Sequence, residues 1–244
     1  MLKPYKEQVG DLYKALVVEE RYRRLSSVGR AEDLGDDELA ALVEEAVLCI
    51  LHLENRCSEK LFKLILQEMV NRCKTDAEVR ASAKQVEDVL NTQVWGSADR
   101  PSQFKLGLEK KAAGEGLTLG EINLPNVRAR KIIENIEPVL DVALSHNQAL
   151  KESTLKACQL YTEFISIARQ KEDFEDDQIE KFQDLVDEFS VLMVENYKEP
   201  FMTNYFHMLA SGHVKYYMKR WKNLYRYEQQ GWEAMNSLIK YYCE

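Results

Sequence analysis

The sequence predicts a mainly α-helical, multi-helix domain, and three observations carry that prediction. Apolar residues recur at three- and four-residue spacing through most of the 244-residue chain. Glycine (10) and proline (5) are too few to punctuate a many-turned sandwich or barrel. Hydrophobic residues make up 45% and charged residues 30%, the balance of a folded chain rather than a disordered one.

Taken in order, residues 5–25 carry Val9, Leu12, Tyr13 and Leu16 on one helical face. Residues 26–37 (SSVGRAEDLGDD) read as a loop, with Asp36 or Asp37 capping the next element. Residues 46–54 (AVLCILHLE) are a near-continuous apolar run, too short for periodicity to separate a buried strand from a buried helix. Leu61, Leu64, Ile65 and Met69 then mark a helix, and another covers 76–91. Trp95, Pro101 and five glycines (Gly96, Gly107, Gly114, Gly116, Gly120) make 92–124 the longest irregular segment and the natural hinge or domain boundary. The expected organisation is an N-terminal helical region (1–91), an irregular linker or insertion (92–124) and a C-terminal helical region (125–244).

Within the last region, Asn126 is placed to cap a helix that Pro138 bends or ends. Leu155, Cys158, Tyr161, Phe164 and Ile165 stripe the helix 150–168, and Ile179, Phe182, Leu185, Val186, Phe189 and Leu192 stripe the next. A helix or helix pair should reach about Trp221, with a turn near Asn223 and a last helix from about Gly231 to Tyr242.

Charge is segregated. Between Gln170 and Glu199 stand eleven acids and three lysines, which accounts for the whole net charge of −8. Between Val214 and Tyr227 stand Lys215, Lys219, Arg220, Lys222 and Arg226 with no acid. The five cysteines are odd in number and scattered, without a Cys-x-x-Cys pair, which points to a reducing, intracellular setting. No apolar run approaches the roughly 20 residues that span a bilayer, so no membrane partner is expected.

Two constellations could carry chemistry. His207 and His213 are six residues apart, which on an ideal helix turns their rings about 120° away from each other. They converge on one zinc ion only if Gly212 breaks the helix between them. In the second, Gly231, Glu233 and Asn236 open the last helix beside a basic segment that also holds Tyr216, Tyr217, Trp221, Tyr225 and Tyr227. An acid there could hold Mg2+ while the bases hold phosphates. The same residues also suit a solvent-facing helix start and an ordinary amphipathic face.

TNYFHMLASGHV followed by QQGWEAMN resembles the C-terminal catalytic region of the V(D)J recombinase catalytic subunit and the Transib-type DDE transposases. The resemblance spans about 46–242. It implies that His207 and His213 help bind zinc, that Glu233 is the last acid of a DDE triad, and that Glu54 is the second. It also implies a strand of an RNase H-like sheet at 46–54, Mg2+ as the catalytic metal, and a nuclear protein. The departures are specific. The place of the family's zinc cysteines is the Cys-free stretch RQKEDFEDDQIEK, and the His207–His213 spacing is one residue longer. Nothing in 1–45 reads as the strands that present the first Asp.

Two functional expectations result. One is a transposase- or recombinase-derived protein with an incomplete DDE site and no independent strand transfer or cleavage. It would bind DNA through Lys215, Lys219, Arg220, Lys222 and Arg226, or bind a recombinase partner. The other is an all-helical, non-catalytic interaction module of the cytoplasm, binding a protein partner or a second copy of itself.

Overall fold

The computed structural model describes residues 50–95, 104–111, 116–120, 122, 124, 126–198 and 203–225. The expected elements at 5–25, 26–37 and 231–242 lie outside the described residues, as do Arg226, Glu233 and Asn236.

Residues Ile50–Arg72 form helix α1. Consecutive Leu64, Ile65 and Leu66 are all buried, as are Leu61 and Phe62. Three successive buried positions already cover about 200° of a helix, so α1 is apolar on more than one face. That is why its sequence hides the helical period. The strand implied for 46–54 is therefore corrected over the described residues: Ile50 to Glu54 are the opening of α1.

Helix α2 runs Asp76–Val89, capped by Thr75, whose Oγ1 accepts from Glu78 N at 3.2 Å. It widens into a π-helical turn over Leu90–Val94. Part of the stretch expected to be a hinge is tied to α2 by side chains. Asn91 exchanges two hydrogen bonds with the Phe104 backbone, at 3.1 and 3.2 Å, and Glu87 accepts from Leu106 N at 2.7 Å. The same segment holds strands β1 (Leu108–Lys110) and β2 (Leu117–Leu119), paired antiparallel with Glu109 opposite Thr118. This ladder is the one sheet among the described residues. The fold is thus mainly helical with a small sheet, but that sheet lies outside 46–54.

Helices α3 (Asn126–Glu134) and α4 (Glu137–Ala143) are separated where Pro138 starts a new helix rather than continuing the old one. Helices α5 (Gln148–Ala168) and α6 (Asp176–Tyr197) form the principal hairpin. Their facing stripes meet in an aromatic cluster. Phe164 lies edge-on to Tyr161, Phe182 and Phe189 with centroids 5.2, 5.7 and 5.4 Å away, and Phe189 stacks on Phe206 at 5.7 Å. Phe164, Phe182 and Phe189 are fully buried. Each contributes about 2–3 kcal/mol through removal from water. Two short helices come next, α7 (Asn204–Ala210) and α8 (His213–Trp221). Helix α1 packs against α2, α3, α4, α7 and β2, while α6 carries α7 and α8. No described helix is long and apolar enough to cross a membrane.

Candidate functional site

Glu54, the acid singled out in the sequence, sits on the first turns of α1 and is 4% exposed. Burying a carboxylate is costly unless cations and donors meet it. Two guanidiniums do. Arg130 of α3 is bidentate, Nε to Oε1 at 2.7 Å and Nη2 to Oε2 at 2.8 Å. Arg169, at the end of α5, donates Nη1 to Oε2. The backbone carbonyl of Glu54 accepts from the Tyr161 hydroxyl at 2.8 Å, and that hydroxyl also meets Ser58 Oγ at 3.0 Å. Burial pushes the Glu54 carboxyl above its ordinary range, and the Arg130 guanidinium pulls against that rise. Both carboxylate oxygens therefore serve cations of the chain itself.

These groups line a cleft of about 570 Å3 between α1, α3 and α5. Its rim is built by the segment after α8. Asn223 is fully buried and donates Nδ2 to the carbonyls of Lys171 and Glu172, at 2.7 and 3.0 Å, while Phe174 N donates to Lys222 O at 2.6 Å. The chain can turn there because Lys222 adopts the left-handed region, φ 56°. The result sets Lys171 Nζ 5.6 Å from the centroid of the Tyr225 ring, with both residues on the cleft.

The histidine pair is the second place where sequence and geometry meet. Gly212, at φ +78°, ends α7 and starts α8, a conformation that glycine adopts without the Cβ penalty. Thus the helix does break between His207 and His213, and their ring centroids lie 6.0 Å apart. Two imidazoles on one tetrahedral zinc would have centroids about 5 Å apart, given a Zn–N distance of about 2.0–2.1 Å. No cluster of three or more histidine, cysteine or acidic groups placed to hold a metal exists among the described residues. The pair supplies two of the four ligands that a structural zinc takes, so these residues do not by themselves fit the ion. His213 Nε2 is buried without a hydrogen-bond partner among the described residues. Burial first, and the neighbouring His207 second, hold the His213 imidazole below its ordinary value.

The basic face is engaged within the chain. Lys215 and Lys219 of α8 both pair with Glu180 of α6, Lys219 at 2.8 Å. Lys222 pairs with Asp176 at 3.0 Å, and Arg220 lies 5.4 Å over the Trp221 ring. Val214 and Met218, one turn apart, are buried, so α8 presents its apolar side inward and its bases to the acids of α6. The acidic and basic segments, segregated in the sequence, meet each other within the chain.

Arg130, Arg169 and Asn223 were not legible as site residues, because these partners stand 50 to 115 positions away. The one local signal was the turn expected near Asn223. No family model matches the chain, and no curated protein or solved structure matches it.

Proposed function

We propose that this chain is a mainly helical, non-catalytic protein-interaction module. The observation that carries this reading is the state of Glu54, whose two oxygens are both taken by guanidiniums of the same chain. A two-metal phosphodiester site needs carboxylates whose charge is available to Mg2+. Lys215, Lys219 and Lys222 are similarly paired with acids of α6, which leaves these three less able to release counterions from DNA. Helix α6 meanwhile keeps Val191 and Val194, one turn apart, 57% and 48% exposed among its acids. That is a surface suited to a partner that brings apolar and basic groups.

The test is a DNA titration by fluorescence anisotropy at about 50 and 200 mM salt. The expected result is no binding, or binding that salt leaves unchanged. A loss of about 10³–10⁵ in affinity over that range, the signature of six to ten phosphate contacts, would overturn the proposal.

One observation favours a second reading, that of a recombinase-derived chain which binds DNA or a recombinase partner without cleaving. Gly212 breaks the helix where the two histidines need it broken to converge. Elemental analysis of the purified full chain separates the readings: one zinc per chain supports the second, and metal-free protein counts against it.

A further inference from the structure

We infer that the outward ridge of α6 around Val191 and Val194 docks a basic amphipathic helix of a partner protein. The inference rests on the reading of this chain as a protein-interaction module, and it names the face used and the chemistry of the partner.

Helix α6 spends both of its flanks inside the chain. Toward α5, Lys181 pairs with Glu163 at 2.7 Å, Glu188 with Lys156 at 2.5 Å, and Asn196 donates Nδ2 to Ser153 Oγ at 3.0 Å. Toward α8, Glu180 and Asp176 take Lys215, Lys219 and Lys222. Between the flanks runs an exposed ridge of Asp184, Asp187, Val191, Val194 and Glu195. At 3.6 residues per turn these five positions fall within about 100° of the helix circumference. Among the described residues no base pairs with Asp184, Asp187 or Glu195. The acids beside the two valines are therefore those the chain leaves without a cation.

The fold does not account for the valines. They are 57% and 48% exposed, so little of their apolar surface is removed from water. Valine is also a poor helix former, so local propensity does not favour it at an exposed position of a helix. Residues that serve neither the core nor the local structure concentrate at functional surfaces.

The spacing selects the occupant. Val191 and Val194 stand three apart, as do Asp184 and Asp187, with a four-residue step between the pairs. That is the seam a second helix lies along. A second copy of α6 is a poor fit. Antiparallel pairing centred on Val191 sets Asp187 of one copy opposite Glu195 of the other, and parallel pairing sets each acid against itself. Like charges so placed repel. A helix with an apolar stripe flanked by lysines or arginines meets the valines and the unpaired acids together.

The experiment is fluorescence anisotropy of a labelled synthetic helix on the full chain. The probe is about three heptads long, with Leu at a and d and Lys at e and g; its twin carries Glu in place of Lys. Saturable one-to-one binding of the Lys helix is expected, with the twin weaker by about tenfold or more. The double variant Val191→Ser, Val194→Ser should weaken binding by about tenfold. Asp184→Asn with Glu195→Gln should weaken it by about threefold at 50 mM salt and by less at about 1 M. The valine variant should keep its urea midpoint and the sedimentation of the wild-type chain. No saturation by about a millimolar probe, a twin that binds as well, or valine variants that bind unchanged would each overturn the inference. So would a lowered urea midpoint in the valine variant, since the chain's own residues would then cover the ridge. A wild-type dimer that the valine variant breaks would assign the ridge to a second copy instead. These outcomes bear on the ridge alone, whereas the module reading falls by salt-steep DNA binding.

Discussion

Two glutamates in this molecule each hold two cations, and they do opposite things. Glu54 is buried between Arg130 and Arg169, whereas Glu180 lies on the surface of α6 between Lys215 and Lys219. Burial raises the carboxyl of Glu54; the lysine hydrogen bonds lower that of Glu180 to about 2. The difference teaches that the number of ion pairs says little. The deciding factor is whether water can replace a lost partner. At Glu180 it can, and the pairing mainly decides which faces of α6 and α8 meet. At Glu54 the carboxylate itself is closed to water, although Arg130 is 40% exposed, and removing the acid takes a buried partner from two guanidiniums at once.

Glu54→Ala is the largest test of that contrast. It should destabilise the protein by about 3–5 kcal/mol, the cost of breaking a buried pair from one side, read as a drop in the urea midpoint. A loss below about 1 kcal/mol would mean that water replaces the carboxylate at both arginines, and the contrast with Glu180 would collapse.

Asn223→Ala is the next. Its amide makes the hydrogen bonds that join the end of α8 to the α5–α6 loop. Their loss should cost about 1–3 kcal/mol. It should also free Lys171 from its place over Tyr225 while Arg130 and Glu54 stay put. A variant as stable as wild type in urea would mean that water replaces these hydrogen bonds.

The contrast also explains what could be read from the sequence. Helices α5 and α6 were legible because each buries one stripe, Phe164 and Ile165 on one, Phe182, Val186 and Phe189 on the other. Helix α1 was not, because Leu64 to Leu66 are buried together and erase the period. Glu54 stood out as an acid ending an apolar run, but its partners come from α3 and from the end of α5. No local pattern announces a pairing across 76 or 115 positions. The histidine pair was legible as a condition on Gly212, since φ is a local property that glycine signals. The α6–α8 pairing was visible only as two opposite charge blocks. Sequence gives their signs, but the hairpin and the Gly212 break decide that they meet inside one chain.

Smaller effects come from pH. His213 is held below its ordinary value of 6.5 by burial and by His207. The unfolded chain therefore binds this proton at a higher pH than the folded chain does. Stability should fall as pH drops from 6.5 into the lowered range, and His213→Gln should flatten that part of the profile. A thermal-melting series from pH 8 to 5 checks it; a wild-type profile flat through this range would place His213 in water.

Glu180→Gln should have the smallest effect of all, and its sign is opposite to any acid gain at Glu54. The folded carboxyl of Glu180 lies near 2 against an ordinary 4.5, so its stabilisation is complete above 4.5 and is lost as pH falls from 4.5 toward 2. Because the group is exposed, most of that shift is screened, and at neutral pH the variant should differ from wild type only slightly. The difference should shrink further at about 1 M salt, where the screening length is about 3 Å. Guanidinium chloride would mask it through its own ionic strength, so urea melts at two salt concentrations are the measurement. If Glu180→Gln proved as costly as Glu54→Ala and insensitive to salt, the α6–α8 pairing would belong to the core. The line drawn between a surface that aligns two helices and a buried acid that orients two arginines would then have to be redrawn.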